Sequence, residues 1–160
     1  MDQTYQFDRE KFKDAVHFIV HYVESTHGTA ALGNTKLHKI LYYSDFLTYL
    51  KTMRPLTGEE FLRQKFGPTS KHLGTTLKQL AHDGRLKTSK SDYFGYAKSD
   101  YHSLLPPQIE KFSDPELELM RGMADFVCTH TATEISEFSH DDVWSSVTMG
   151  HVIPYFASFA

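Results

Sequence analysis

Residues 34–68 read NTKLHKILYYSDFLTYLKTMRPLTGEEFLRQKFGP. Asn34 is a typical helix N-cap, and the residues that follow it predict a helix over 35–53 that ends before Pro55. The next apolar residues alternate with polar ones up to Phe66, which predicts a short strand. Gly67-Pro68 predicts the end of that strand and the start of a third helix over about 69–82.

The helix over 35–53 is apolar on two sides. One side carries Leu37, Ile40, Leu41, Ser44 and Leu47, and a different side carries Tyr42, Phe46 and Tyr49. A helix with two apolar sides is typical of the centre of a fold. Two arrangements satisfy this pattern: neighbouring elements cover both sides, or one side is left to bind a partner.

The flanking residues predict further helices and a hairpin. A stripe at helical spacing predicts a first helix over 8–26, and a Tyr-, Ser- and Lys-rich stretch around Gly95 predicts a hairpin. Ser113 and Glu116 have the spacing of a capping box and predict another helix. Two more short helices are expected, from Thr131 with Glu134 and from Ser139 with Asp142. We therefore expect one compact α+β domain over 1–160, mainly helical, with a short strand or hairpin between the third and fourth helices.

Composition narrows the class of protein. The chain has 160 residues, 40% of them hydrophobic and 23% charged, which is typical of one soluble globular domain and excludes global disorder. No apolar stretch is long enough to span a bilayer. Cys128 is the single cysteine, which excludes a disulfide scaffold and favours a reducing cytoplasm.

Charge is distributed unevenly along the chain. Residues 1–90 contain 14 basic and 9 acidic side chains, whereas residues 91–160 contain 3 and 11. This asymmetry permits an anionic partner for the first half or pairing between the halves. The net charge of −3 argues against a dedicated nucleic-acid binder.

Motifs for catalysis and metal binding are weak. His17, His21 and Glu24 lie opposite the apolar stripe of the first helix, where two histidines four residues apart could hold zinc. The HExxH arrangement is missing and no third ligand is near, so we interpret this side as a solvated helix face. Cys128 is interpreted as a small buried hydrophobe. We expect no enzyme, no metal and no cofactor.

One alternative function uses the middle of the chain. A helix over 69–82, followed by a hairpin with Lys87, Lys90 and Lys98, is similar to a winged helix. In a DNA-binding transcriptional regulator, that helix would enter the major groove and the hairpin would contact phosphates. Lys71, His72 and Lys78 supply little for reading bases.

Three ordered motifs resemble a known family. They are the helix Lys36-Leu37-His38-Lys39-Ile40-Leu41-Tyr42-Tyr43, the turn Arg54-Pro55-Leu56 with Glu60-Phe61, and Phe66-Gly67-Pro68. Ser136-Glu137-Phe138-Ser139-His140 and Val143-Trp144 extend the likeness. Together these motifs, over roughly 10–155, resemble the Panacea domain of SocA-like antitoxins. His38 replaces a usual glutamine and Phe66 a usual tyrosine.

The resemblance implies a bacterial or phage-borne antitoxin. Such proteins bind a cognate protein toxin directly, and one type delivers its toxin to an ATP-dependent protease as an adaptor. For this function we expect partner-binding residues on the second helix and on the hairpin: Lys36, Lys39, Tyr42, Phe46, Tyr49, Tyr93 and Tyr96. Lys65 and Lys71 would join the two helix lysines in steering an acidic surface. Simple burial is the alternative for Phe46.

The apolar tail over 153–160 has two interpretations. It either docks in the core or serves as an unstructured protease tag. Docking is favoured because Tyr155, Phe156 and Phe159 are large apolar side chains.

Overall fold

The computed structural model describes residues 5–65, 67–131, 133–134 and 147–155, apart from the side chain of Tyr93. The order of elements in these residues confirms the mainly helical α+β class, with a hairpin between the third and fourth helices. The helices are α1 (Arg9–His27), α2 (Gly33–Thr52), α3 (Leu73–His82) and α4 (Asp114–Cys128), and a 3-10 turn spans Thr29–Ala31. The strands are β1 (Phe61–Gln64), β2 (Gly67–Ser70), β3 (Leu86–Tyr93) and β4 (Tyr96–Ser103).

Helix α1 forms as its pattern predicts. The Asp8 side chain caps it by accepting a 3.0 Å hydrogen bond from the backbone N–H of Lys11. The apolar stripe is fully buried in the core, as expected from its spacing: Phe12, Val16, Ile19, Val20 and Val23.

Helix α2 crosses the centre of the fold, and its neighbours cover both of its apolar sides. Tyr42, Phe46 and Tyr49 are 3–4% exposed. The ring of Phe61 on β1 meets those of Tyr42 and Phe46 edge-on, at 5.6 and 6.1 Å. The expectation that this side stays open for a partner is therefore wrong, because aromatic residues from elsewhere in the chain fill it.

The start of α2 also differs from the prediction. The helix begins at Gly33, so Asn34 lies in its first turn and is not the N-cap. The Asn34 side chain instead accepts a 3.1 Å hydrogen bond from the Tyr101 hydroxyl on β4. A tertiary contact thus takes the oxygen that local sequence rules assign to capping.

Gly67-Pro68 does not begin a helix. Residues Gly67–Ser70 form β2, which pairs antiparallel with β1 in the register Phe61 to Ser70. The buried carboxylate of Glu59 accepts hydrogen bonds from the Ser70 hydroxyl at 2.5 Å and the His72 backbone N–H at 2.8 Å. These bonds hold the chain extended up to Ser70 and place the start of α3 at Leu73.

The segment over 147–155 docks onto β1. Arg63 donates its backbone N–H to the His151 carbonyl at 2.9 Å, and Ile153 donates to the Phe61 carbonyl at 2.7 Å. Ile153 and Tyr155 are buried, and the Tyr155 ring lies 4.6 Å from Phe46. Docking of the tail is confirmed for these residues, while Phe156 and Phe159 lie outside the described residues.

Helix α4 carries the predicted capping box. The Ser113 hydroxyl accepts from the Glu116 backbone N–H at 3.3 Å, and the Glu116 carboxylate accepts from the Ser113 backbone N–H at 2.8 Å. Thr131 and Glu134 form the same reciprocal pair at 2.9 and 3.1 Å. The helix expected from Ser139 lies outside the described residues.

Candidate partner-binding surface

The hairpin of β3 and β4 ends in a tight two-residue turn. Phe94 and Gly95 have φ values of 50° and 83°, and Tyr93 pairs with Tyr96 on either side of them. Positive φ at both central positions matches the right-handed twist of the strands. The tyrosine- and lysine-rich hairpin predicted around Gly95 is confirmed.

Two aromatic side chains project from this turn. Phe94 is 85% exposed and Tyr96 is 76% exposed. We call this pair the aromatic tip. Large aromatic groups in water are typical of contact sites, because burying them against a partner is favourable and orders few rotatable bonds. Tyr96 was predicted as a binding residue; Phe94 belongs to the same stretch and is the more exposed.

The base of the hairpin is fixed to the helices. Leu86 and Tyr101 are buried in the core. The Glu24 carboxylate on α1 accepts a 2.9 Å hydrogen bond from the Ser103 backbone N–H and contacts the His102 ring at 3.1 Å. The aromatic tip is therefore carried on an anchored support, which limits the entropy lost when it is bound.

The polar side of α1 forms this anchor and is not a solvated face. His17 is fully buried, with its Nε2 3.0 Å from both the Ser103 hydroxyl and the Leu105 carbonyl. Its Nδ1 accepts from Arg85 at 3.1 Å, and Arg85 also pairs with Asp14 at 2.9 Å. Burial, reinforced by the Arg85 charge, lowers the pKa of His17 to about 4. The prediction of a solvated face is wrong because the hairpin packs over it.

The predicted residues of α2 are placed differently from the hairpin residues. Tyr42 and Phe46 lie together in the core with ring centroids 4.4 Å apart, and Tyr49 lies 5.7 Å from Tyr155. In this conformation a partner reaches none of the three. The structure does not describe the Tyr93 side chain.

The lysines predicted to steer a partner also differ in how exposed they are. Lys39 is 3% exposed and so is poorly placed to steer a partner, and burial lowers the pKa of its amine. Lys36 is half-buried, whereas Lys65 and Lys71 are exposed. Lys71 pairs with Glu60 at 3.0 Å. Lys87 and Lys90 on β3 are exposed and lie closer along the chain to the aromatic tip.

Two buried carboxylates organise the loop between α2 and β1. Asp45 accepts hydrogen bonds from the Thr57 backbone N–H and the Thr57 hydroxyl, and Glu59 bonds Ser70 and His72. Burial raises the pKa of Asp45 to about 7. Neither carboxylate was among the residues predicted to be functional, although two acidic residues beside apolar ones were a usable signal.

Neither a metal-binding cluster nor an activated thiol is present among the described residues. Within the described ranges, no three His, Cys, Asp or Glu side chains are grouped so that they could hold a metal ion. Cys128 is half-buried, and burial raises the pKa of its thiol, which disfavours the reactive thiolate. No helix in the described part of the chain is long and apolar enough to cross a membrane.

The structure contains only part of the arrangement expected for a winged helix. A helix followed by a hairpin is present as α3, β3 and β4, but β2 occupies the residues expected for the first turn of that helix. Binding of DNA stays a prediction.

Comparison with known proteins identifies the family. The model of the family described as "Antitoxin SocA-like, Panacea domain" matches residues 37–145, from the first turns of α2 to beyond α4. No curated protein and no solved structure matches the chain. Because the family match covers more than half of the 160 residues, this chain belongs to the SocA-like antitoxin family that the Panacea domain defines.

Proposed function

We propose that this chain silences a protein toxin by binding to it directly, and that the aromatic tip forms part of the contact. The observation that supports this is the exposure of Phe94 and Tyr96 on a turn whose base is anchored. Family membership supports the antitoxin role in general. In this proposal the chain acts by contact alone, without catalysis or a cofactor.

A few contact residues can supply most of the affinity that silencing a toxin requires. Silencing a toxin at cellular concentrations needs a Kd near the nanomolar range, or roughly −12 kcal/mol. A few aromatic or arginine anchors usually supply most of that free energy, and surrounding contacts exclude water. The exposed Lys87 and Lys90 would speed association with an acidic toxin surface without adding much affinity.

The experiment is co-expression with the product of the neighbouring open reading frame, followed by measurement of growth and of binding between the purified proteins. We expect this chain to restore growth. Replacing both tip residues, Phe94→Ala with Tyr96→Ala, should weaken binding at least about tenfold. The matched control, Leu104→Ala with Met149→Ala, removes two other exposed apolar side chains and should leave binding unchanged.

Two outcomes would contradict this function. One is a failure of the neighbouring product to be toxic or to be relieved by this chain. The other is equal binding by the tip variant and the control, which would move the contact elsewhere. Toxin half-life distinguishes occlusion from delivery to an ATP-dependent protease, because only delivery shortens it when the protease is present.

A further inference from the structure

A second surface lies between the last turns of α2 and the first turns of α4. Two adjoining cavities of about 520 and 480 Å³ share Lys51, Pro115 and Leu119 and so form one groove. Leu119 and Met123 are half-buried and, with Pro55 and Pro115, make its floor apolar. We call this the α2–α4 groove.

The two walls of the α2–α4 groove carry opposite charges. Lys51 and Arg54 line it from the α2 side, and Asp114 and Glu118 line it from the α4 side. All four are exposed, and none of them forms an ion pair within the described part of the chain. By contrast, Lys11 and Glu116 at one end of the groove pair with each other at 3.0 Å. The α2 side of the groove therefore carries positive charge, and the α4 side carries negative charge.

The backbone of the walls restricts what can bind there. Both walls are α-helices, whose interior N–H and C=O groups already bond within the helix. An extended segment placed in the groove would find few backbone partners, at a cost for each group left unpaired. A helix satisfies its own backbone and can lay an apolar stripe on the floor, which is the usual mode for such grooves.

One position on the α4 side of the groove has no side chain. Gly122 lines the groove, and a Cβ added there would meet no atom within 4 Å. Glycine inside a helix costs about 1 kcal/mol relative to alanine. The missing side chain leaves room for close approach by another backbone.

We propose that the α2–α4 groove binds an amphipathic helix of the toxin, with acidic residues on the edge facing α2 and basic residues on the edge facing α4. This rests on the proposed function and defines the chemistry of the partner. Charge complementarity sets which edge of the partner helix is acidic and which is basic, and the apolar floor requires an apolar stripe between those edges. The groove would add a second contact to that of the aromatic tip.

The first test uses synthetic peptides in place of the toxin. Two labelled amphipathic helical peptides share one leucine stripe; peptide EK carries Glu on one edge and Lys on the other, and peptide EE carries Glu on both. Fluorescence anisotropy at low salt should show about fivefold tighter binding of EK to the full chain. Glu118→Lys should narrow that preference to about twofold or less by making both rims more basic. Equal binding of EK and EE to the unsubstituted chain would overturn the proposal.

The second test is steric and has a matched control. Gly122→Met places a side chain in the groove, whereas Gly74→Met places one on α3, where a Cβ also meets no atom within 4 Å. Both changes replace glycine inside a helix and should preserve or improve folding. Only Gly122→Met should weaken EK binding, by about tenfold or more. Equal binding by the two variants would show that the groove is not the site.

Gly122→Met and the EK peptide together distinguish a failure of the groove proposal from a failure of the antitoxin function. If the chain relieves the toxin and Gly122→Met does so equally well, the function holds and the groove proposal fails. If EK binds as expected but no toxin is relieved, the groove is a helix-binding site and the antitoxin function fails. If the chain alone is dimeric in sedimentation and Gly122→Met makes it monomeric, the occupant is a second copy, which contradicts the toxin helix.

Discussion

Asp45 on α2 accepts two hydrogen bonds from a single residue, the backbone N–H of Thr57 at 2.6 Å and its hydroxyl at 2.7 Å. The backbone N–H of Gly58 adds a third at 3.3 Å. All of these groups are buried, so one carboxylate supplies the acceptors for a whole turn of the loop before β1. That loop sets the position of Glu59 and, through it, of β2 and α3.

Replacing Asp45 should therefore destabilise the fold. Asp45→Ala leaves three buried donors without an acceptor and should lower the free energy of unfolding by about 2–4 kcal/mol. Asp45→Asn keeps one acceptor oxygen and should cost less. Urea denaturation of both variants measures this difference, and equal losses would show that the hydrogen bonds contribute little.

The two variants should also differ in pH dependence. The pKa of Asp45 is raised from its ordinary value of 3.8 to about 7 in the fold, so this group's contribution to stability falls as pH rises from about 4 to about 7 and is constant at higher pH. Asp45→Asn does not titrate. Its stability relative to the unsubstituted chain should accordingly rise between about pH 4 and 7 and level off above that range.

Two glycines with similar backbone angles should respond differently to alanine. Gly58 and Gly84 have φ values of 79° and 73°. A Cβ at Gly58 would lie 2.5 Å from the Gln6 carbonyl oxygen, whereas at Gly84 it would meet nothing within 4 Å. We expect Gly84→Ala to cost about 1–2 kcal/mol from backbone strain alone. Gly58→Ala should cost at least about 3 kcal/mol, because the backbone must also move. Thermal unfolding compares them, and similar losses would be inconsistent with the close approach at Gly58.

His17 should make the fold sensitive to acid. Its pKa is about 4 in the folded state and 6.5 as the ordinary value, so below pH 6.5 the unfolded chain takes up the proton first. The stabilisation from neutral His17 is complete above about pH 6.5 and declines toward pH 4, at up to about 1.4 kcal/mol per pH unit. His17→Gln removes this titration.

The measurement is the free energy of unfolding of both proteins between pH 4 and 7. The advantage of the unsubstituted chain over His17→Gln should shrink steadily as pH falls. Asp45 titrates in the opposite sense but is present in both proteins, so its effect cancels in the difference. A constant difference across this range would mean that His17 is not held neutral by its surroundings.

Tyr155 should contribute to stability far more than an exposed tyrosine. Its ring packs 4.6 Å from Phe46 and 5.8 Å from Tyr5, and its hydroxyl donates to the Glu59 carbonyl. Tyr155→Ala should cost about 3–5 kcal/mol and Tyr155→Phe about 1 kcal/mol. The control Tyr96→Ala should change stability by no more than about 0.5 kcal/mol. Comparable losses at both tyrosines would show that the tail is not docked in solution.

Local patterns predicted the elements whose causes are local. The stripe of α1, the capping box of α4 and the turn at Gly95 each depend on residues within a few positions of one another, and all three form as expected. The start of α3 could not be placed in this way. It depends on Glu59, which is 13 residues before His72 in the chain.

Burial of the predicted site residues was the least predictable feature. Periodicity shows that α2 has two apolar sides, but only tertiary structure shows that Phe61 and Tyr155 cover the second one. His17 was misjudged for a related reason, since a polar helix face can pack against other polar groups as well as against water. Tyr96 is exposed, as residues beside a tight hairpin turn usually are, and its role in binding stays a prediction.

The pairing of residues 151–153 with β1 joins two parts of the chain that are made far apart in time. A ribosome delivers all of α2 and then β1 long before it delivers Tyr155, so a nascent chain holds Phe46 and Phe61 without their final cover. That aromatic cluster is completed only after Tyr155 has been synthesised. A translation product that stops before residue 151 lacks this cover and exposes rings that are buried in the folded chain.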